Sequence, residues 1–180
     1  MYSKKNIQLF LFLLLSFTGF SQYEEYCKYQ AVLSYIRCDR KVNERIKIFF
    51  PKLVSKKDKY VELNISSRID FLSIIPFKTE LLRKEYFTNK ELLKNDSSSY
   101  YKRYYFESYE SDFLRNLIEP NSSKLYLTFS KPFGDYLVVE IGELFSKQSN
   151  YRFGKGMHIF FRFNSLGLIE DVIYAGSTYG

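Results

Sequence analysis

His158 is the only histidine in this chain of 180 residues, so any chemistry that needs an imidazole must use it. One histidine and two cysteines, Cys27 and Cys38, without Cys-pair spacing leave no zinc set, and neither metal nor cofactor is expected. A Ser-His-acid triad would also have to use His158, but no Gly-x-Ser-x-Gly elbow marks a nucleophile. What remains is a pattern of alternation. Between Gly156 and Asn164, Met157, Ile159, Phe161 and Phe163 share one face of a strand and His158, Phe160 and Arg162 the other. In the preceding strand, Tyr136 to Phe145, Leu137, Val139 and Ile141 lie opposite Tyr136, Val138 and Glu140.

If a hairpin joins these strands, Glu140 is expected beside Phe160 and diagonal to His158 and Arg162. A Glu140–His158–Arg162 cluster, with Tyr136 on the same face, would bind a polar ligand. With Glu143 as a further carboxylate it would serve acid–base work in a small envelope hydrolase. The plainer alternative is a solvent-side ion pair of Glu140 with Arg162, leaving His158 a bystander. Register decides, because a one-residue slip moves Glu140 to the other face.

A second candidate is aromatic. Tyr100, Tyr101, Tyr104 and Tyr105 surround Lys102 and Arg103, a mixture suited to stacking on sugars or bases. Seventeen Tyr, eighteen Phe and no Trp, alongside abundant Lys, Asn, Ile and Ser, match the drift of an AT-rich bacterial genome. Abundance alone therefore accounts for much of this cluster, and an aromatic layer packed on a sheet is the simpler role. Phe153-Gly154-Lys155-Gly156 is too short a glycine pattern for a phosphate loop and suits a loop–strand junction instead.

The elements that must position these residues form one domain, since the length has no comfortable room for two. Hydrophobic content of 46% is ample for a core. The C-terminal third, Lys124 to Tyr179, reads as four strands, with the turn Asn164-Ser165-Leu166-Gly167 joining the last two. The material before it is expected to cover one face of that sheet. Glu24 to Arg37 reads as a helix, and Arg45 to Phe50 alternates as an edge strand before Pro51. Val61, Leu63 and Ile65 form a returning strand, and a helix runs from Lys78 to Phe87 after Pro76. Thr88 and Glu91 have capping-box spacing, and Ser111 caps a short helix. Asn64, Asn95 and Asn121 head N-glycosylation patterns that arise by chance in so Asn- and Ser-rich a chain.

The fold class is therefore α+β, short helices packed on an antiparallel sheet that ends in a four-stranded meander. Helices first and strands last resembles the cystatin-like and nuclear-transport-factor-like arrangements in element order alone, which implies no function.

Met1 to Ser21 reads as an export leader. Lys4 and Lys5 precede the apolar run Leu9 to Leu15, and Gly19 and Ser21 are the small residues for cleavage between Ser21 and Gln22. The apolar stretch from Leu9 to Phe20 falls short of the ~20 residues that span a bilayer. No cysteine follows the cleavage point closely enough to be a lipid acceptor. A secreted or periplasmic chain, 22–180, with no membrane anchor is expected. Cys27 and Cys38 would then meet an oxidising compartment, but along one helix they stand ~16 Å apart, against the ~4.4–6.8 Å of a disulfide. A bridge requires the helix to break or the segment to fold back as strands. The formal charge of +7 falls to +5 once Lys4 and Lys5 leave with the leader. It is scattered, with no basic run, which favours acidic envelope partners over nucleic acid. The expected function is a non-catalytic domain binding a protein, glycan or small ligand of the envelope, with the hydrolase as the alternative.

Overall fold

The computed structural model describes residues 23–55, 57–94, 109–118, 121–143 and 154–179. Two helices open it: α1 over 23–38 and α2 over Arg40–Phe49. The strand β1 (Asn64–Asp70) leads to a 3-10 turn (Ile75–Phe77), α3 (Lys78–Arg83) and a helix, α4, over 89–94. Then come β2 (Tyr109–Glu110), α5 (Asp112–Arg115), β3 (Leu125–Ser130), β4 (Tyr136–Glu143), β5 (Gly154–Phe163) and β6 (Ile169–Tyr179).

The class is α+β, and β3 to β6 form the expected antiparallel meander. The whole sheet is mixed, with strand order β2-β1-β3-β4-β5-β6 and β1 lying parallel to β3. Asn64 and Asn121 hold the start of that parallel pair. Asn64 donates to the Ser123 carbonyl at 2.6 Å and Asn121 to the Leu63 carbonyl at 3.1 Å. Both amide nitrogens thus serve the backbone, while Asn95 lies outside the described residues.

Two expectations are corrected. Arg45 to Phe49 belongs to α2, with Phe50 as its C-cap, and the stretch is not a strand. The Asp39 carboxylate accepts from the Val42 N–H at 2.9 Å as its N-cap, and Val42, Ile46 and Phe50 recur at helical spacing on the buried side. Ile48, which alternation would bury with Ile46, is 78% exposed. Second, both faces of the sheet are covered. On one face α1, α2 and α5 pack Val32, Ile36, Ile46 and Leu114 against Leu127, Val139, Ile159 and Phe161. On the other, Leu72, Ile74, Phe77, Leu81 and Leu92 close over Val138, Phe160 and Ile173. Val138 and Phe160 are as apolar as the residues behind them, and a sheet with two apolar faces needs two covers.

Local signals otherwise act as their chemistry dictates. Thr88 and Glu91 exchange the capping-box bonds, with the Thr88 N–H on Glu91 Oε2 at 2.7 Å. Those bonds hold the Glu91 carboxyl below its ordinary value. Ser111 Oγ accepts from the Leu114 N–H at 3.3 Å. The last hairpin turns at Gly167, whose φ of +73° suits glycine, while Asn164 Oδ1 accepts from the Leu166 and Leu168 N–H groups. The helix after Pro76 ends at Arg83, short of Phe87, because Glu85 takes a left-handed φ of 57°.

Candidate functional site

Glu140 lies directly opposite His158, and Tyr136 directly opposite Arg162. Val138 takes the place beside Phe160 that Glu140 was expected to fill, a slide of two residues that leaves every side chain on its expected face. Across the sheet, Thr128, Glu140, His158 and Ala175 form one row on four successive strands.

The two middle members of the row lie inside the protein, and Thr128 and Ala175 at its ends are half-buried. Glu140 is 3% exposed and His158 5%, and Glu140 Oε2 and His158 Nδ1 are both sealed from solvent. The next pair on the same face is Gly142 opposite Gly156, so no side chain stands there. A Cβ on Gly142 would sit 3.4 Å from Glu140 Oε1, which shows the carboxylate leaning over that gap. Directly opposed residues of an antiparallel pair hold their Cβ atoms ~4.5–5.5 Å apart, so acid and imidazole are neighbours within one closed layer. That arrangement offers no approach to a solute.

Arg162 does not join them. Four residues along a strand separate its row from that of Glu140, about 13 Å at ~3.3 Å per residue. It pairs instead with Glu170 at 3.3 Å and lies 4.3 Å from the ring centroid of Tyr86. The hydrogen bond to Tyr86 is the largest influence and raises its pKa above the ordinary arginine value; burial opposes this, and the charge of Glu170 adds to the rise. The solvent-side Glu140–Arg162 ion pair is therefore replaced by two separate sites. Tyr136 packs its ring among Phe87, Phe133 and Phe160, with centroids 5.1, 5.6 and 5.2 Å away. Glu143 pairs with Leu125 and shares the parity of Ile141, so it lies on the other face from Glu140 and His158.

Around Arg162 is a polar cluster that sequence reasoning missed. Asp171 Oδ2 accepts from Lys84 Nζ at 2.6 Å and from the Tyr86 hydroxyl at 3.0 Å. Burial pushes the Asp171 carboxyl up, but the bonds from Lys84 and Tyr86, the Lys84 charge and the Val172 N–H outweigh it and hold it below the ordinary value. The Asn164–Gly167 turn showed that β5 and β6 pair, but a bulge between Arg162 and Phe163 shifts the register and sets Asp171, not Glu170, opposite Arg162. The arrival of Lys84 and Tyr86 was not legible, because it depends on how α3 docks.

On the opposite face Tyr35 and Tyr174 share a hydrogen bond, with the Arg45 guanidinium 4.3 Å from the Tyr174 ring centroid. Burial, then Tyr35, push the Tyr174 phenol far above its ordinary value, so it stays protonated in any ordinary buffer. An open pocket of about 320 Å³ lies elsewhere, lined by Glu44, Lys47, Ile48 and Pro51 of α2 and its C-terminal turn. Among the described residues no group of three or more His, Cys, Asp or Glu side chains is placed to hold a metal.

Cys27 and Cys38 are both free and both exposed on α1. The helix is continuous between them, so the bridge that a break would have allowed does not form within the chain. Tyr100, Tyr101, Tyr104 and Tyr105, and the cleavage residues Ser21 and Gln22, lie outside the described residues. No helix among the described residues is long and apolar enough to cross a membrane. No family model, curated protein or solved structure matches the chain.

Proposed function

We propose that the chain is exported and that its folded part is a non-catalytic interaction domain of the cell envelope. In this reading an extended segment of a partner protein adds to the outer edge of β6. The observation that carries it is β6 itself. The strand runs for 11 residues and, among the described residues, is hydrogen-bonded on one side only. Soluble proteins usually shorten such an edge, bend it, or place Lys or Pro along it, because its unpaired N–H and C=O groups template another strand. The opposite edge, β2, has 2 residues. Ile169–Tyr179 has neither Lys nor Pro, and its acidic residues, Glu170 and Asp171, gather at its start. Strand addition is a recurring mode of peptide recognition.

The hydrolase alternative loses support from the same geometry that was to supply it. An acid and an imidazole 3% and 5% exposed cannot engage a substrate without opening the layer above them.

The test has two arms. Protein recovered from the native host should begin at Gln22, and an intact Met1 terminus would overturn the export reading. Mature protein should capture a partner from envelope fractions, identified by mass spectrometry, and the complex should slow hydrogen exchange at alternate residues of β6. Capture of a glycan or small ligand with unchanged exchange in β6 would overturn the strand-addition reading.

A further inference from the structure

The outer side of α1 is self-complementary. Its inner side buries Tyr29, Val32, Leu33 and Ile36 in the core, while Cys27, Ser34 and Cys38 are exposed and Ala31 is half-buried beside them. Eleven residues make close to three full turns at ~3.6 residues per turn, so the two thiols lie in one line along the helix, ~16 Å apart. Ala31 and Ser34 fall between them, and both are small. Charge is sorted by end: Glu24 and Glu25 stand at the start, Arg37 at the finish, and Arg40 and Lys41 just beyond in α2. Glu24 meets Lys28 at 2.6 Å and Glu25 meets Lys131 at 4.0 Å, yet they keep 69% and 31% of their side chains exposed.

From this we infer that the outer side of α1 docks the same helix of a second copy of the chain. The two helices run antiparallel across a two-fold axis, and Cys27 of each copy is paired with Cys38 of the other. A two-fold axis between Ala31 and Ser34 exchanges the two cysteine positions, so both pairs have the same geometry. Small residues at the crossing let helix axes approach to about 8 Å, the near end of the usual range. With Cα atoms about 2.3 Å from each axis, directly facing Cα atoms stand about 3.4–5.4 Å apart over the usual 8–10 Å range of axis separations, and its upper half meets the ~4.4–6.8 Å that a disulfide spans. Reversal also brings Glu24 and Glu25 of one copy to Arg37, Arg40 and Lys41 of the other, at both ends, and sets the two helix dipoles antiparallel.

The bond forms by thiol–disulfide exchange. A thiolate attacks a disulfide oxidant such as oxidised glutathione, giving a mixed disulfide and one released thiol. The facing thiolate of the second copy then displaces the other half of the oxidant. Each bond thus passes two electrons and two protons to the oxidant. This covalent step rests on export to an oxidising compartment, but the docking does not.

The test treats reduced, purified protein at micromolar concentration with oxidised glutathione and reads non-reducing electrophoresis alongside light scattering. Wild type should give a covalent dimer that dithiothreitol dissolves into monomers or a salt-sensitive dimer. Cys27→Ser and Cys38→Ser should each give no covalent dimer alone, because each remaining thiol then faces a serine. Mixed together, they should restore one bond per pair. Covalent dimers from either variant alone, or none from wild type or the mixture, would overturn the antiparallel register. Both exposed substitutions leave the core untouched, and circular dichroism checks this. Failure of export alone would read differently, as dimerisation in vitro with an uncut leader on the host protein.

Discussion

Lys84 Nζ lies 2.6 Å from Asp171 Oδ2 and ties the helical layer over one sheet face to the outermost strand of the meander. Tyr86 reaches the same oxygen at 3.0 Å, so one carboxylate anchors both. Asp171→Asn should destabilise the fold by about 1.5–3 kcal/mol, the range for hydrogen bonds to charged groups, measured by urea unfolding near neutral pH. The pH dependence has a fixed sign. Since the folded Asp171 carboxyl sits below its ordinary value, its ionised form stabilises the protein fully above the unfolded aspartate value of about 3.9. That contribution is lost as pH falls through the lower, folded value. The gap between wild type and Asp171→Asn should therefore be constant above about pH 5 and shrink steadily below pH 4.

Gly176 has no space for a side chain on the face toward α2. A Cβ there would lie 2.7 Å from Phe49 Cε2. Phe49 is only half-buried, so its ring can give way, and Gly176→Ala should cost about 1 kcal/mol, the low end for overpacking. In a Phe49→Ala background the same substitution should cost nothing measurable. Equal costs in both backgrounds, read from denaturant midpoints, would show that the ring is not the obstacle.

Glu140 and His158 should behave as one buried unit. Glu140→Leu or His158→Leu alone leaves the other polar group sealed in an apolar layer, at a cost of about 3–5 kcal/mol if that group keeps its charge. The double substitution should cost less than the two singles summed, a coupling of about 0.5–3 kcal/mol. The imidazole of the only histidine can be followed by proton NMR without assignment, and Glu140→Gln should move its signals. Additive losses with unmoved signals would mean that the two residues are merely adjacent.

Asp39 should matter as a cap and not as a charge. Asp39→Ala removes the acceptor for the Val42 N–H and should destabilise α2 by about 1 kcal/mol, whereas Asp39→Asn should cost far less because asparagine caps equally well. Thermal unfolding of the two variants separates the roles.

Much of the meander was readable because period-two alternation is a local property. Met157, Ile159, Phe161 and Phe163 had to face one way together, and so did Leu125, Leu127 and Phe129. Register between β4 and β5 was not readable, because no tight turn joins them as Asn164–Gly167 joins β5 and β6. The two-residue slide at Glu140 follows from that. In α2 two periods competed: Ile46, Ile48 and Phe50 alternate, but Asp39 as a cap and Val42, Ile46 and Phe50 at helical spacing specify the helix. The second cover was hinted at by Val138 and Phe160, which have no reason to be apolar on a solvent face. The burial of Glu140 and His158 follows from that cover, and it depends on packing that no single stretch of sequence contains.

The parallel pairing of β1 with β3 sets an order of assembly. Ile65 meets Leu127 across about 60 intervening residues, and closing so long a loop costs entropy before any contact rewards it. The pair β5 and β6 closes over a tight turn, so the meander can organise first and present the edge of β3 as a template on which β1 completes the sheet. Substitutions at Ile159 should then slow refolding, while Ile65→Val should chiefly speed unfolding.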